Sequence, residues 1–124
     1  REVNNSKPHH VVELVRRKAS RFKEPIIACL GLAFKADVDD VRESPAIEIV
    51  LDLVDSKVGR ILVVEPNIKS LPKCLDGRVE WLPATQAIEE CDIALVLVDH
   101  RQFRSIPRRI FDGRVVLDTR GLWE

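Results

Sequence analysis

Apolar positions along this 124-residue chain follow a helical period at first and a strand-like one afterwards. Between Ser6 and Lys23, the residues Val11, Val12, Leu14, Val15, Ala19 and Phe22 recur at three- and four-residue intervals, which predicts one amphipathic helix. Ser6 or Asn5 can cap it and Pro8 suits its first turn. Beyond Glu24-Pro25 the apolar residues fall instead into short continuous runs: Ile26 to Leu30, Arg60 to Val64, Cys91 to Val98 and Arg114 to Leu117, with a weaker one around Val79 to Leu82. Strands that are apolar on both faces belong in a parallel sheet covered by helices on both sides. Helical segments are predicted between the runs. One starts at Ser44-Pro45 and continues through Ile47, Ile49, Val50, Leu53 and Val54; a second spans Ala84 to Glu90; a ragged third, Gln102 to Ile110, is interrupted by Pro107. Strands alternating with helices imply right-handed βαβ units. The expected fold is α/β: a doubly wound, mainly parallel sheet with helices on both faces, preceded by a helix.

Composition narrows the function without naming it. Hydrophobic residues at 45% and charged residues at 32% describe an ordinary globular domain. Twenty Lys and Arg balance twenty Asp and Glu, so no global basic field exists to hold a nucleic acid or a membrane surface. Any anion site must therefore be local. The basic run Arg16, Arg17, Lys18, Arg21 and Lys23 reads as a solvated helix face whose charge complements the helix dipole, with a phosphate-binding face as the alternative. No apolar run reaches 18 residues and no signal-peptide pattern is present, so no membrane partner is expected. Three cysteines, Cys29, Cys74 and Cys91, lack CxxC spacing and read as free thiols in a reducing cytoplasm rather than as metal ligands or disulfides. The chain contains no Met at all, and is expected to be a fragment of something larger.

In a doubly wound sheet, ligands bind beyond the carboxyl ends of the strands, where strand order reverses. The residues after each run are therefore the candidates. A dinucleotide site needs G-x-G-x-x-G after the first strand, but Gly31 is followed by Leu32 and Ala33, whose side chains would block the approach of a pyrophosphate. Glu65 ends the second run where an acidic ribose ligand would lie, yet stands 34 residues past Gly31 rather than near 20. The architecture is Rossmann-like without the fingerprint, and an NAD site complete in this chain is not expected. Lys35 and Arg120 are cations at strand ends; they either converge on one anion or pair as surface charges with Asp37 and Asp118. Arg42 precedes the Ser44 cap and either clamps Glu43 or reaches across to a neighbour. His100 beside Asp99 reads as a structural hydrogen-bonding residue, because adjacent residues at a strand end seldom face each other. Cys29 lies mid-strand, where burial makes a poor nucleophile.

The run Gly31-Leu-Ala-Phe-Lys-Ala-Asp-Val-Asp-Asp-Val-Arg-Glu-Ser-Pro45 resembles the G-L-x-F-K-x-x-x-D-D-x-R-E-S-P signature of the nucleotide-sugar dehydrogenases, which include the UDP-glucose and UDP-N-acetylmannosamine dehydrogenases. Arg1-Glu-Val-Asn4, Val63-Val-Glu-Pro-Asn67, Ala94-Leu-Val-Leu-Val-Asp-His100 with Phe103, and Leu117-Asp-Thr-Arg-Gly121 extend the likeness over essentially the whole chain. Val-Glu-Pro-Asn with Val-Asp-His-x-x-Phe is most similar to the UDP-N-acetyl-D-mannosamine branch; UDP-glucose enzymes more often carry Tyr-Asp-Pro and Thr-x-Trp there. The resemblance implies an enzyme oxidising a sugar C6 alcohol to a carboxylate in two NAD-dependent steps, for surface polysaccharide. It implies that residues 1–23 end an inter-domain connecting helix and that residues 24–124 form a UDP-sugar-binding domain. Phe34, Lys35 and Arg120 would contact the UDP-sugar, and Arg42 would reach NAD bound mainly by an absent N-terminal domain. No catalytic residue is expected here, since no cysteine has the G-G-x-C-x-x-K-D context of the family's nucleophile, and the domain alone is expected to be inactive. The same domain of a UDP-glucose or UDP-N-acetylglucosamine 6-dehydrogenase is the nearest alternative. A homodimer or higher homo-oligomer is expected of the whole enzyme. A non-catalytic assembly module, with the first helix packed on a partner, is an alternative of another class.

Overall fold

The computed structural model describes residues 8–33, 35–37, 41 and 44–119. Helix α1 (Pro8–Ala19) leads into strand β1 (Ile26–Leu30), then α2 (Pro45–Asp55), β2 (Arg60–Val64), β3 (Glu80–Trp81), α3 (Ala84–Glu90), β4 (Ile93–Val96), α4 (Arg101–Arg104) and β5 (Val115–Asp118). Short 3-10 turns at Lys73–Leu75 and Arg108–Phe111 complete the connections. All strands are parallel, in the order β3-β2-β1-β4-β5. Strand order reverses between β1 and β4, so the expected doubly wound sheet is present and its switch point lies there.

The apolar strands bury both faces. Ile27, Cys29, Ile61, Val63, Ile93 and Leu95 face α1 and α2, where Val11, Val15, Ile49, Val50 and Leu53 complete one layer. Ala28, Leu30, Leu62, Val64, Ala94 and Val96 turn to the other side and meet Ala87, Ile88, Phe103 and Phe111. Period-two alternation along each strand sends neighbouring residues to opposite cores, which is why residues 27–30, 61–64 and 93–96 carry no polar position. Arg60 and Glu80 form a two-pronged, exposed ion pair that ties the two-residue β3 to β2.

Several boundaries differ from those the sequence predicts. Helix α1 stops at Ala19 rather than Lys23, because the amides of Arg21 and Phe22 bond three residues back, to Lys18 and Ala19, and the tightened turn lets Phe22 pack on the core. The run from Cys91 to Val98 is strand only from Ile93 to Val96. Cys91 ends α3 with its amide on Ala87 and Ile88, while the amides of Leu97 and Val98 both reach Leu30 O and bend the chain over the end of β1. Strand β5 is displaced by one residue from the predicted Arg114 to Leu117. The ragged third helix divides at Ser105–Pro107 into α4 and a 3-10 turn. Ser44 does precede α2, with Pro45 in the first turn, but its hydroxyl donates to Ala33 O at 3.1 Å instead of capping the helix. The predicted caps Asn5 and Ser6 lie outside the described residues.

The apolar stripe of α1 is spent within the chain: Val11, Val12, Val15 and Ala19 are buried against this domain's own sheet and α2. Its basic side chains Arg16 and Arg17 are solvent-exposed, and Arg16 pairs loosely with Glu13 at 3.6 Å, as a solvated face does. The stripe that motivated a partner-packing role is therefore occupied, which removes the main support for an assembly module.

Candidate functional site

Gly31 opens the site. Its φ of 102° lies in a region open to glycine, and a Cβ there would stand 2.5 Å from Val98 Cβ. The bare backbone lets the ends of β1 and β4 close together, while the Gly31 amide donates to Val64 O at 2.8 Å and links β1 to β2. Three strand ends thus meet at one point: β2 contributes Glu65 and Asn67, β1 contributes Leu32 and Ala33, and β4 contributes His100.

At that point sits a buried polar network. Glu65 Oε1 accepts from the Leu32 amide at 2.8 Å and the Ala33 amide at 3.0 Å, and Oε2 accepts from the Asn67 amide at 3.0 Å. His100 Nε2 lies 2.8 Å from the same Oε1, with both side chains fully buried. The Asp37 amide donates to His100 Nδ1 at 2.8 Å, so Nδ1 is the unprotonated nitrogen and Nε2 carries the hydrogen given to Glu65. Asn67 Nδ2 also approaches Nδ1, at 3.2 Å, and Gln102 Nε2 donates to Asn67 Oδ1 at 2.8 Å. Burial pushes the Glu65 carboxyl up, but hydrogen bonds from His100 and from the Leu32 and Asn67 amides outweigh it and leave the group below its ordinary value.

This arrangement explains why the switch point is not a dinucleotide site. Leu32 and Ala33 hold the amides that a pyrophosphate would use at this turn, and an internal carboxylate already occupies them. The residues present do not fit NAD there. His100 performs the structural bonding expected of it, with Glu65 as its partner, and adjacent Asp99 lies 3.6 Å from Arg104 instead of facing it.

Lys35 emerges from the β1 end as an exposed side chain. Nearby Asp37 sits in the left-handed region at φ 63°, and its Oδ1 accepts the Arg101 amide at 2.8 Å, so its carboxylate is turned to the start of α4. At the end of β5, Thr119 is fixed by its hydroxyl on Val96 O at 2.6 Å. Phe34, Arg42 and Arg120 lie outside the described residues; Lys35 is the predicted site residue the structure places. Sequence reasoning missed Asp37, Asn67 and Gln102 as members of the network. Against this network, at the carboxyl ends of β2 and β3, lies an apolar cavity of about 350 Å³ whose lining includes Glu65, Pro66, Trp81, Leu82, Gln102 and Phe103.

Among the described residues no cluster of three or more His, Cys, Asp or Glu could hold a metal, and no helix is long and apolar enough to cross a membrane. The three cysteines are free thiols, with Cys29 and Cys91 buried and Cys74 exposed. Burial pushes the Cys29 thiol up to about 12 and the Cys91 thiol up to about 11, so neither is a nucleophile at neutral pH.

Residues 28–124 match the model of the UDP-glucose/GDP-mannose dehydrogenase family, UDP binding domain. The chain is 56% identical over 123 residues to an NDP-N-acetyl-D-galactosaminuronic acid dehydrogenase of Ralstonia nicotianae, covering 99% of this chain and 29% of that protein. It is 44% identical over 131 residues to a UDP-N-acetyl-D-mannosamine dehydrogenase of Salmonella typhi, covering 99% and 31%. The chain thus spans about three tenths of the length of these curated relatives. Among solved structures, the UDP-N-acetyl-mannosamine dehydrogenase Cap5O of Staphylococcus aureus superposes with a TM-score of 0.75 at 28% identity, over 96% of this chain and 28% of that one. A UDP-glucose dehydrogenase of Pyrobaculum islandicum gives 0.81 at 24% identity over 98% and 28%, a likeness of fold.

Proposed function

The chain belongs to the UDP-glucose/GDP-mannose dehydrogenase family, as its UDP-binding domain, and from that premise we propose that it supplies the UDP-gripping face of an NAD-dependent nucleotide-sugar 6-dehydrogenase. The observation that carries the reading is the exposed Lys35, held beside the switch point of a doubly wound sheet and within the family's signature run. A diphosphate brings about two negative charges, and a cation at a strand end meets them without any global basic field. Phe34 and Arg120 join Lys35 on the substrate, with Phe34 beside it in sequence and Arg120 following the β5 end that Thr119 fixes. Arg42 contacts NAD from this side.

NAD itself belongs to another domain, since the amides that could cradle it here are taken by Glu65. The sugar nucleotide is oxidised at C6 in two steps elsewhere in the polypeptide; α1 (Pro8–Ala19) is the end of the helix connecting the two parts, and the enzyme is a cytoplasmic homo-oligomer. UDP-N-acetyl-D-mannosamine is the first substrate reading, carried by the Val-Glu-Pro-Asn and Val-Asp-His-x-x-Phe segments. A second, an N-acetylgalactosamine nucleotide, is favoured by the 56% identity to the Ralstonia protein. Comparing kcat/KM for the two UDP-sugars separates them.

Lys35→Ala in the full-length polypeptide is expected to raise the UDP-sugar KM about tenfold or more, the scale of one lost charge-assisted contact. Unchanged KM and kcat would remove Lys35 from the site.

A further inference from the structure

We propose that His100 is a positioning residue for the UDP-sugar loop, setting through Nδ1 the backbone that presents Lys35. The proposal deepens the functional reading above and rests on it. Lys35 lies between two anchor points. On its N-terminal side the Leu32 and Ala33 amides are fixed by Glu65 Oε1, at 2.8 Å and 3.0 Å. On its C-terminal side the Asp37 amide is fixed by His100 Nδ1, at 2.8 Å. Glu65 and His100 are themselves joined at 2.8 Å, so one buried pair holds both ends of the segment. His100 cannot easily rotate: Phe103 packs edge-on against its ring, with centroids 5.4 Å apart and planes at 61°, and Asn67 Nδ2 stands 3.2 Å from Nδ1.

The second anchor is the more demanding. Asp37 has a φ of 63°, a conformation that non-glycine residues adopt seldom and at a cost. Two bonds maintain it, its amide to His100 and its carboxylate to the Arg101 amide at 2.8 Å. Both partners come from the segment that leaves β4, so the position of the Lys35 backbone is referred to β4 as well as to β1. Strand β4 is also the neighbour of β5, the strand that leads to Arg120. His100 thereby refers the Lys35 backbone to β4 while its own side chain stays fully buried.

Two substitutions separate the functions of the two ring nitrogens. In His100→Asn the side-chain oxygen falls near the place of Nδ1 and can accept the Asp37 amide, but nothing reaches Glu65. In His100→Gln the amide nitrogen falls near Nε2 and can donate to Glu65, but the Asp37 amide loses its acceptor. Both are to be measured in the full-length polypeptide for UDP-sugar KM, kcat and urea midpoint. His100→Gln is expected to raise KM about tenfold with kcat within about twofold of wild type, and His100→Asn to hold KM within about threefold while its urea midpoint falls. KM following the urea midpoint in both variants, or wild-type KM in His100→Gln, overturns the proposal. Amide exchange on the wild-type protein tests it without any substitution. The Asp37 amide is expected to be protected and to slow further on saturation with UDP; fast exchange in both states overturns the proposal. A wild-type polypeptide that takes no UDP-sugar at all overturns the functional reading first, and this one with it.

Discussion

Glu65→Ala is expected to lower the unfolding free energy by about 4 kcal/mol, far more than burial of a short side chain would account for. The carboxylate is fully buried and accepts from four donors: the amides of Leu32, Ala33 and Asn67, and His100 Nε2. Each abandoned donor costs about 1–3 kcal/mol, and water entering the vacated space offsets part of the sum. Glu65→Gln is milder, at about 1–2 kcal/mol: its oxygen can serve the three donors at the Oε1 position, while its NH₂ faces the Asn67 amide and loses one bond. The effect also depends on pH. Because the folded carboxyl lies below its ordinary value, its ionised form is stabilised by folding. That stabilisation is complete above the unfolded value and is lost as pH falls through the folded one. The difference between wild type and Glu65→Gln is thus expected to be full above the ordinary carboxyl value and to shrink as pH falls below it. Urea unfolding on either side of that value checks the sign. A difference that grew on acidification would mean that Glu65 is buried protonated.

Gly31→Ala is expected to cost about 3 kcal/mol by thermal or urea unfolding, with strain and overpacking acting together. At φ 102° a side chain is strained whatever space surrounds it, and the new Cβ would stand 2.5 Å from Val98 Cβ and 3.0 Å from Val98 N. Val98 is buried and its amide is held on Leu30 O at 3.2 Å, so the β4 end cannot simply move aside. Adding Val98→Ala is expected to restore little, since alanine keeps the closest atom. A substantial rescue by that second change would show that only the larger Val98 side chain was at fault.

The sheet was legible because its strands are buried on both faces. Ile26–Leu30 and Arg60–Val64 coincide with the runs read from the sequence, and so does helix Ala84–Glu90. Boundaries failed where tertiary bonds end an element before its apolar residues run out. Leu97 and Val98 are as apolar as the strand before them but are drawn onto Leu30 O. The central pair was legible only in halves. Glu65 and His100 each stood out as strand-end residues, but 35 positions separate them, and only the order β2-β1-β4 places them over the same strand. Glu65 stood where a ribose ligand would lie; the structure turns it inward onto the loop amides. Asp37 stood out only as a possible partner of a strand-end cation; nothing local marked it as part of the network, because its left-handed backbone is held by His100 and Arg101 from another strand end.

A titration of this chain with UDP, followed residue by residue through backbone amide shifts, tests the assignment most directly. Saturable changes are expected at Gly31, Lys35 and Asp37 at the end of β1 and at Thr119 at the end of β5, with little change around the Trp81–Phe103 cavity. No saturable change at millimolar UDP, or changes centred on that cavity instead, would contradict a UDP site at the β1, β4 and β5 ends.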